Sequence, residues 1–214
     1  MSNNREKRQY AESVHIFMAL QRMSKQGNKN CIRTVIKDEE LDLKMLEAKV
    51  KVLGGEWRIH KTVNARNVET ARKILLKRLI DNPEKGAYVD SEWRSALLQR
   101  ECKETKYLML DIDTQDEEKI KIIENLIPKE VELKCCIETI HLSNIRPERI
   151  ELKQIPNKEP QYRYYRETIL SRIKSPKGWH YITLPFDSRE VCKLEDVSLI
   201  RDGYYYIKTV GIPR

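Results

Sequence analysis

A chain of 214 residues with 40% apolar and 35% charged side chains, and only 7 Gly and 8 Pro, has the composition of a folded globular protein and excludes a disordered or collagen-like one. The opening MSNNREKRQY lacks the apolar stretch of a signal peptide, and no run approaches the roughly 18 apolar residues that cross a bilayer, so a membrane role is not expected. Lys and Arg outnumber Asp and Glu by 41 to 33, a net charge of +8, which favours nucleic acid as partner because each phosphate contacted releases a condensed counterion.

In chain order, residues 6–25 set Val14, Phe17, Met18 and Leu20 among charges at helical spacing and predict a first helix, ended by the polar stretch 27–30. A short strand is expected over 31–36, then a helix from Asp38 through Leu41, Leu43, Leu46 and Val50, closed by Gly54-Gly55. Trp57, Ile59 and Val63 alternate as a strand does. Asn67 is an N-cap for a helix over 68–80, with Ala71, Ile74, Leu75 and Leu79 on one face and basic residues on another. A further helix is expected over 93–102, opened by Asp90 or Ser91. The run 107–113 is short and nearly all apolar, as suits a strand buried on both faces and covered there by helices, and 116–127 returns to helical spacing. From residue 131 strands predominate, over 131–140, 169–174, 179–186, 197–200 and 204–210, while 144–166, with three prolines, reads as an irregular excursion. The expectation is an α/β (α+β) fold with a mixed sheet flanked by helices. Residues 1–55 would form a helical N-terminal extension, and residues 56–214 a catalytic core.

The strongest chemical signal is Leu110-Asp111-Ile112-Asp113, because strand geometry turns Asp111 and Asp113 to one side and Leu110 and Ile112 to the other. Paired carboxylates repel unless they hold a cation, and Mg²⁺ or Mn²⁺ takes one or two carboxylates together with phosphate oxygens. The competing reading is that the strand simply ends at Asp111 and the acids cap the next helix. A calcium loop is excluded, since its sixth and twelfth positions hold Asp116 and Ile122 instead of Gly and Glu. Thr114 directly after Asp113 departs from the D-x-D-x-T of haloacid dehalogenase-type phosphatases. A second signal is Ser175-Pro-Lys-Gly-Trp-His180, in which Ser175, Lys177 and Gly178 form a turn that phosphate can approach and His180 opens a strand; as a bland alternative, this is an ordinary turn with a structural His. The third is the strand 197–200 followed by Asp202-Gly203, where Asp202 or Asp196 could add a third acid or merely shape a hairpin tip.

In that order, over roughly residues 56–210, the motifs resemble the primase-polymerase members of the archaeo-eukaryotic primase superfamily. The resemblance implies a metal-dependent nucleotidyltransferase with Mg²⁺ or Mn²⁺ on Asp111 and Asp113, joined by Asp202, and with His180 contacting the triphosphate of an incoming nucleoside triphosphate beside Ser175, Lys177, Gly178 and Arg66. The chain departs from the family at the third acid, whose usual place falls closer to Ser198. Nucleic acid, as single strand or primer-template, is expected on Arg72 and Lys77 of one helix and on Tyr164, Arg163 and Arg166, where rings and cations interleave. The resemblance also implies a replication-protein partner, and the absence of a fused helicase-like segment points to a mobile-element or phage origin. The odd cysteine count, with Cys135 and Cys136 adjacent and no C-x-x-C, points to a reducing cytoplasm. Two other classes remain: a non-catalytic single-strand-binding module on the same fold, and a metal-dependent nuclease or phosphoesterase.

Overall fold

The computed structural model describes residues 13–21, 30–36, 39–133, 148–153 and 161–211. The architecture is mixed α/β, with four α-helices and three antiparallel sheets among the described residues. The first sheet runs β12 (Tyr204–Val210), β3 (Trp57–Thr62), β1 (Ser13–Gln21) and β2 (Cys31–Ile36), with the two-residue β4 (Arg66–Asn67) added to β1. The second runs β11 (Val197–Ile200), β5 (Leu108–Ile112), β10 (Trp179–Thr183) and β9 (Ile169–Lys174). The third joins β6 (Glu130–Glu132), β8 (Gln161–Glu167) and β7 (Arg149–Lys153). The expected mixed sheet is thus corrected, every pairing being antiparallel.

The largest correction concerns the expected N-terminal helix, whose residues 13–21 are a central strand; residues 6–12 and 22–25 lie outside the described ones. Val14 and Ile16 bury against one face of the sheet and Phe17 and Ala19 against the other. A strand packed on both faces has a nearly unbroken apolar run, whose side chains also fall at helix-like spacings. The boundary expected at residues 55 and 56 therefore cuts through one sheet, since β1 pairs with β3 along Phe17 to Gln21. The stretch 144–166 is corrected as well. Its described parts include β7 and β8, paired from Arg149↔Tyr165 to Lys153↔Gln161, and the three prolines lie outside the described residues. Of the strand expected over 131–140, only the start is described, as β6.

Four helices close the core. Helix α1 (Glu39–Leu53) sets Leu46 and Val50 against Phe17, Trp57 and Ile59. Helix α2 (Val68–Asp81) starts where Asn67 Oδ1 accepts from Thr70 N at 2.7 Å, and packs with α3 (Val89–Leu97) over Val14 and Ile16. Helix α3 begins before the expected start and carries no side-chain cap, so Asp90 and Ser91 fall inside its first turn. Helix α4 (Glu117–Leu126), capped by Asp116, places Ile123 beneath Leu110 and Ile112. Among the described residues no helix covers the opposite face of β5, contrary to expectation. There Met109 packs with Ile182, Val63 and Tyr205, where the second sheet meets the first. Among the described residues no helix is long and apolar enough to cross a membrane.

Candidate active site at the meeting of two sheets

The register of the second sheet decides which polar groups converge. Asp111 lies directly between His180 on β10 and Ser198 on β11. Leu110, Ile112, Tyr181, Val197 and Leu199 bury on the α4 side, while Met109, Ile182 and Ile200 join the cluster on the other side. Strand alternation therefore turns Ser198, Asp111 and His180 to the face that meets the first sheet. His180 Nε2 stands 3.2 Å from Asp111 Oδ1, with the His side chain 9% and the Asp side chain 31% exposed. The backbone N–H of Tyr206 on β12 donates to His180 Nδ1 at 3.0 Å. Because that nitrogen accepts, the ring proton sits on Nε2, the nitrogen nearer the carboxylate.

Asp113 is the first residue beyond β5, exposed, with its backbone N–H bonded to Asp196 O at 2.8 Å. Ser175 and Gly178 build the turn beside it. Ser175 N–H donates to Gly178 O at 2.9 Å, and Gly178 N–H donates to Ser175 Oγ at 3.1 Å. A Cβ on Gly178 would lie 1.9 Å from Ile112 O and 2.7 Å from Thr114 O, so only glycine lets this turn lie against the Asp113 backbone. Ser175 is buried and already engaged in the turn, whereas Lys177 at its tip is exposed.

Other sequence-predicted residues lie apart from this row. Arg66, 1% exposed, is held on both terminal nitrogens by Asp202, which Lys103 Nζ also approaches at 3.8 Å. Asp202 follows the end of β11 that pairs with Met109, at the far end from Ser198↔Asp111. It is a partner for buried Arg66, and the pair does not join Asp111. Asp196, the other candidate third acid, binds Lys119 of α4 at 2.7 Å. Of the expected nucleic-acid residues, Arg72 pairs with Glu69 at 2.7 Å and Lys77 is exposed on α2. In the third sheet Tyr164 is buried, Arg163 lies 3.4 Å from Glu132, and Arg166 has its Nε shut from solvent.

Sequence reasoning did not single out two groups of β3 near the site. His60 on β3 stands opposite Tyr206, their rings meeting edge to face at 6.0 Å between centroids. Burial lowers its affinity for a proton, and nearby His180 lowers it further. Arg58 lies two residues earlier on the same face, half-buried, with Nε enclosed and without a hydrogen-bond partner. The signal was the alternation of β3 itself, in which Trp57 and Ile59 enter the α1 core and Arg58 and His60 turn away from it.

A separate cavity of about 700 Å³ lies between the end of α4, β8 and β9. Four of its charges are matched in pairs: Glu124 accepts from Arg172 Nε, and from Tyr181 Oη, both at 2.8 Å, and Arg149 binds Glu130 at 2.6 Å. Burial alone would raise the Glu124 carboxyl, but these two donors outweigh it and hold it below its ordinary value. Among the described residues no group of three or more His, Cys, Asp or Glu side chains forms a metal-ligating cluster. Comparison with protein-family models, with curated proteins and with solved structures finds no match.

Proposed function

We propose that the Asp111, Asp113 and His180 site performs metal-dependent nucleotidyl transfer on nucleic acid, with a nucleoside triphosphate as substrate, on a primase-polymerase-like core in the cytoplasm. The observation that carries this reading is the cross-strand row Ser198, Asp111 and His180, with the glycine turn folded against the Asp113 backbone. A carboxylate beside a ring nitrogen, a second acid just beyond the strand and a turn lying against its backbone support the reading.

The donor set suits Mg²⁺ or Mn²⁺, which accept one or two carboxylates and fill their remaining positions with water and substrate phosphates. Asp111 and Asp113 would hold the ion, and bound there it would neutralise phosphate charge and polarise the phosphoryl centre. The residues of the chain orient the substrate. His180, fixed through Nδ1 by Tyr206 N–H, offers Nε2–H to a phosphate oxygen in place of Asp111 Oδ1. Lys177 supplies a cation at the turn tip, and Gly178 lets that turn lie against the Asp113 backbone. Arg66, bound to Asp202, supports the β11 end and is left out of nucleotide binding.

Binding of a fluorescent nucleoside triphosphate with and without Mn²⁺ tests the proposal. Wild type should bind in a Mn²⁺-dependent manner, and a double Asp111→Ala, Asp113→Ala variant should lose that dependence; equal binding by both chains sinks it. A second reading, a non-catalytic single-strand-binding module, is favoured by Ser198, since a hydroxyl occupies the position opposite Asp111 where a third acid would serve catalysis. Triphosphate binding without incorporation into a primer would select it. Cleavage of a labelled strand without any need for triphosphate would select the nuclease reading.

A further inference from the structure

The first sheet carries a face that the proposed chemistry does not use. Across it, the register aligns Tyr206, His60, Met18 and Arg33 in one row and Thr209, Arg58, Leu20 and Cys31 in the next. These side chains share one face, because Trp57, Ile59, Phe17 and Ala19 between them enter the α1 core on the other. Helices α2 and α3 cover only the end of the face that holds Val14, Ile16, Val35 and Tyr204. Towards Leu20 and Arg58, Met18, Leu20, Arg58, His60 and Tyr206 stay half-buried, and Arg33 and Cys31 are exposed.

Two features give this surface a chemistry. Its cations are unmatched: among the described residues neither Arg33 nor Arg58 forms an ion pair, and Arg58 Nε is enclosed without a hydrogen bond. By contrast Arg72, Arg78, Arg149, Arg163 and Arg172 all face a carboxylate within 3.4 Å. A partly desolvated guanidinium without a partner is unfavourable until an anion arrives. Apolar and aromatic side chains lie between the cations, and such alternation suits a chain of phosphates that carries stackable bases. The face also leads to the site, since Tyr206 supplies both the ring against His60 and the N–H that holds His180.

We propose that a single-stranded polynucleotide lies across this face, its phosphates on Arg33 and Arg58 and its bases on Met18, Leu20 and Tyr206, and is delivered to the Asp111 and His180 row. The span from Tyr206 to Arg33 covers three strand spacings, about 14 Å at about 4.8 Å each. This assignment replaces α2 and the third sheet as the strand path. It rests on the nucleotidyl-transfer reading only for the direction of travel; the binding surface stands by itself.

The test is fluorescence anisotropy with a labelled 20-nucleotide oligothymidylate at several salt concentrations, set against a duplex of equal length. Arg33→Glu, at an exposed position, and Arg58→Gln should each weaken single-strand binding about tenfold or more, and the salt slope should fall by about 0.7 for each phosphate no longer held. Wild-type binding by Arg33→Glu, with its fold intact by circular dichroism, overturns the assignment whatever Arg58→Gln does. So does a loss that follows Lys73→Glu with Lys77→Glu on α2 instead, or a preference for the duplex. The Asp111→Ala, Asp113→Ala chain separates the two proposals. If wild type shows no Mn²⁺-dependent triphosphate binding but Arg33→Glu still loses the strand, nucleotidyl transfer falls and the surface stands. Triphosphate binding with an unchanged Arg33→Glu gives the reverse.

Discussion

Two acid–base pairs sit on the second sheet and its margin, and they differ in what surrounds them. Arg66 is buried to 1% exposure and gives both terminal nitrogens to Asp202, with Lys103 near the same carboxylate and only the enclosed Arg66 Nε left without a partner. Asp111 meets His180 through one contact of 3.2 Å, keeps 31% of its side chain exposed, and has only Ser198 on its other flank. In the first pair nearly every polar atom that could bind a ligand is already used, so the pair fastens the chain to itself. In the second, part of the carboxylate stays open to water beside a buried ring, and this contact is the one the proposed substrate would replace.

The comparison breaks most readily at Arg66. Arg66→Ala strands Asp202 and removes a buried cation, and should cost about 3 kcal/mol, the low end for buried pairs because Asp202 is 29% exposed. Urea unfolding checks this, and a loss below about 1 kcal/mol would make Arg66 available for a ligand after all. Next in size is Gly178→Ala. Its new Cβ meets Ile112 O at 1.9 Å and must push the turn away from Asp113, costing about 1–3 kcal/mol and weakening triphosphate binding beyond that of Lys177→Ala. Asp111→Asn should change stability by less than about 1 kcal/mol, because its carboxylate is open to water, while removing Mn²⁺-dependent binding. If the variant is instead as unstable as Arg66→Ala, the two pairs are of one kind.

The smallest effect is a pH dependence. His60 in the folded chain binds its proton less readily than the ordinary value of 6.5, chiefly because it is buried. The unfolded chain therefore takes up more protons once pH drops below about 6.5, so the stability from neutral His60 is complete above that value and is lost as pH falls further. Urea midpoints at pH 7.5 and pH 5.5 should differ more for wild type than for His60→Gln. An equal difference would place the burdened group elsewhere.

Local chemistry was legible wherever neighbours in sequence supply it. Asn67 and Asp116 cap the helices they precede, Gly54 takes positive φ just after α1, and Leu110 and Ile112 bury as alternation demands. These outcomes depend on one residue and its next few neighbours. The reading failed where distant chain segments decide. Residues 13–21 look helical by spacing, yet become a strand because β2 and β3 flank them and Val14 and Ile16 bury on one face, Phe17 and Ala19 on the other. In the third sheet, Tyr164 carries the look of an exposed stacking residue but is buried once β7 and β6 flank β8.

The sequence by itself determined the Asn67 and Asp116 caps and the alternation of β3 and β5, and it named Asp111, Asp113 and His180 as candidates, since all of these follow from side-chain type and short spacing. Only the tertiary structure decided that His180 and Ser198 flank Asp111, that Asp202 belongs to Arg66, and that Arg58 and His60 look out beside the site. Each of these turns on antiparallel register between strands tens of residues apart, and a shift of one residue would carry every side chain to the opposite face.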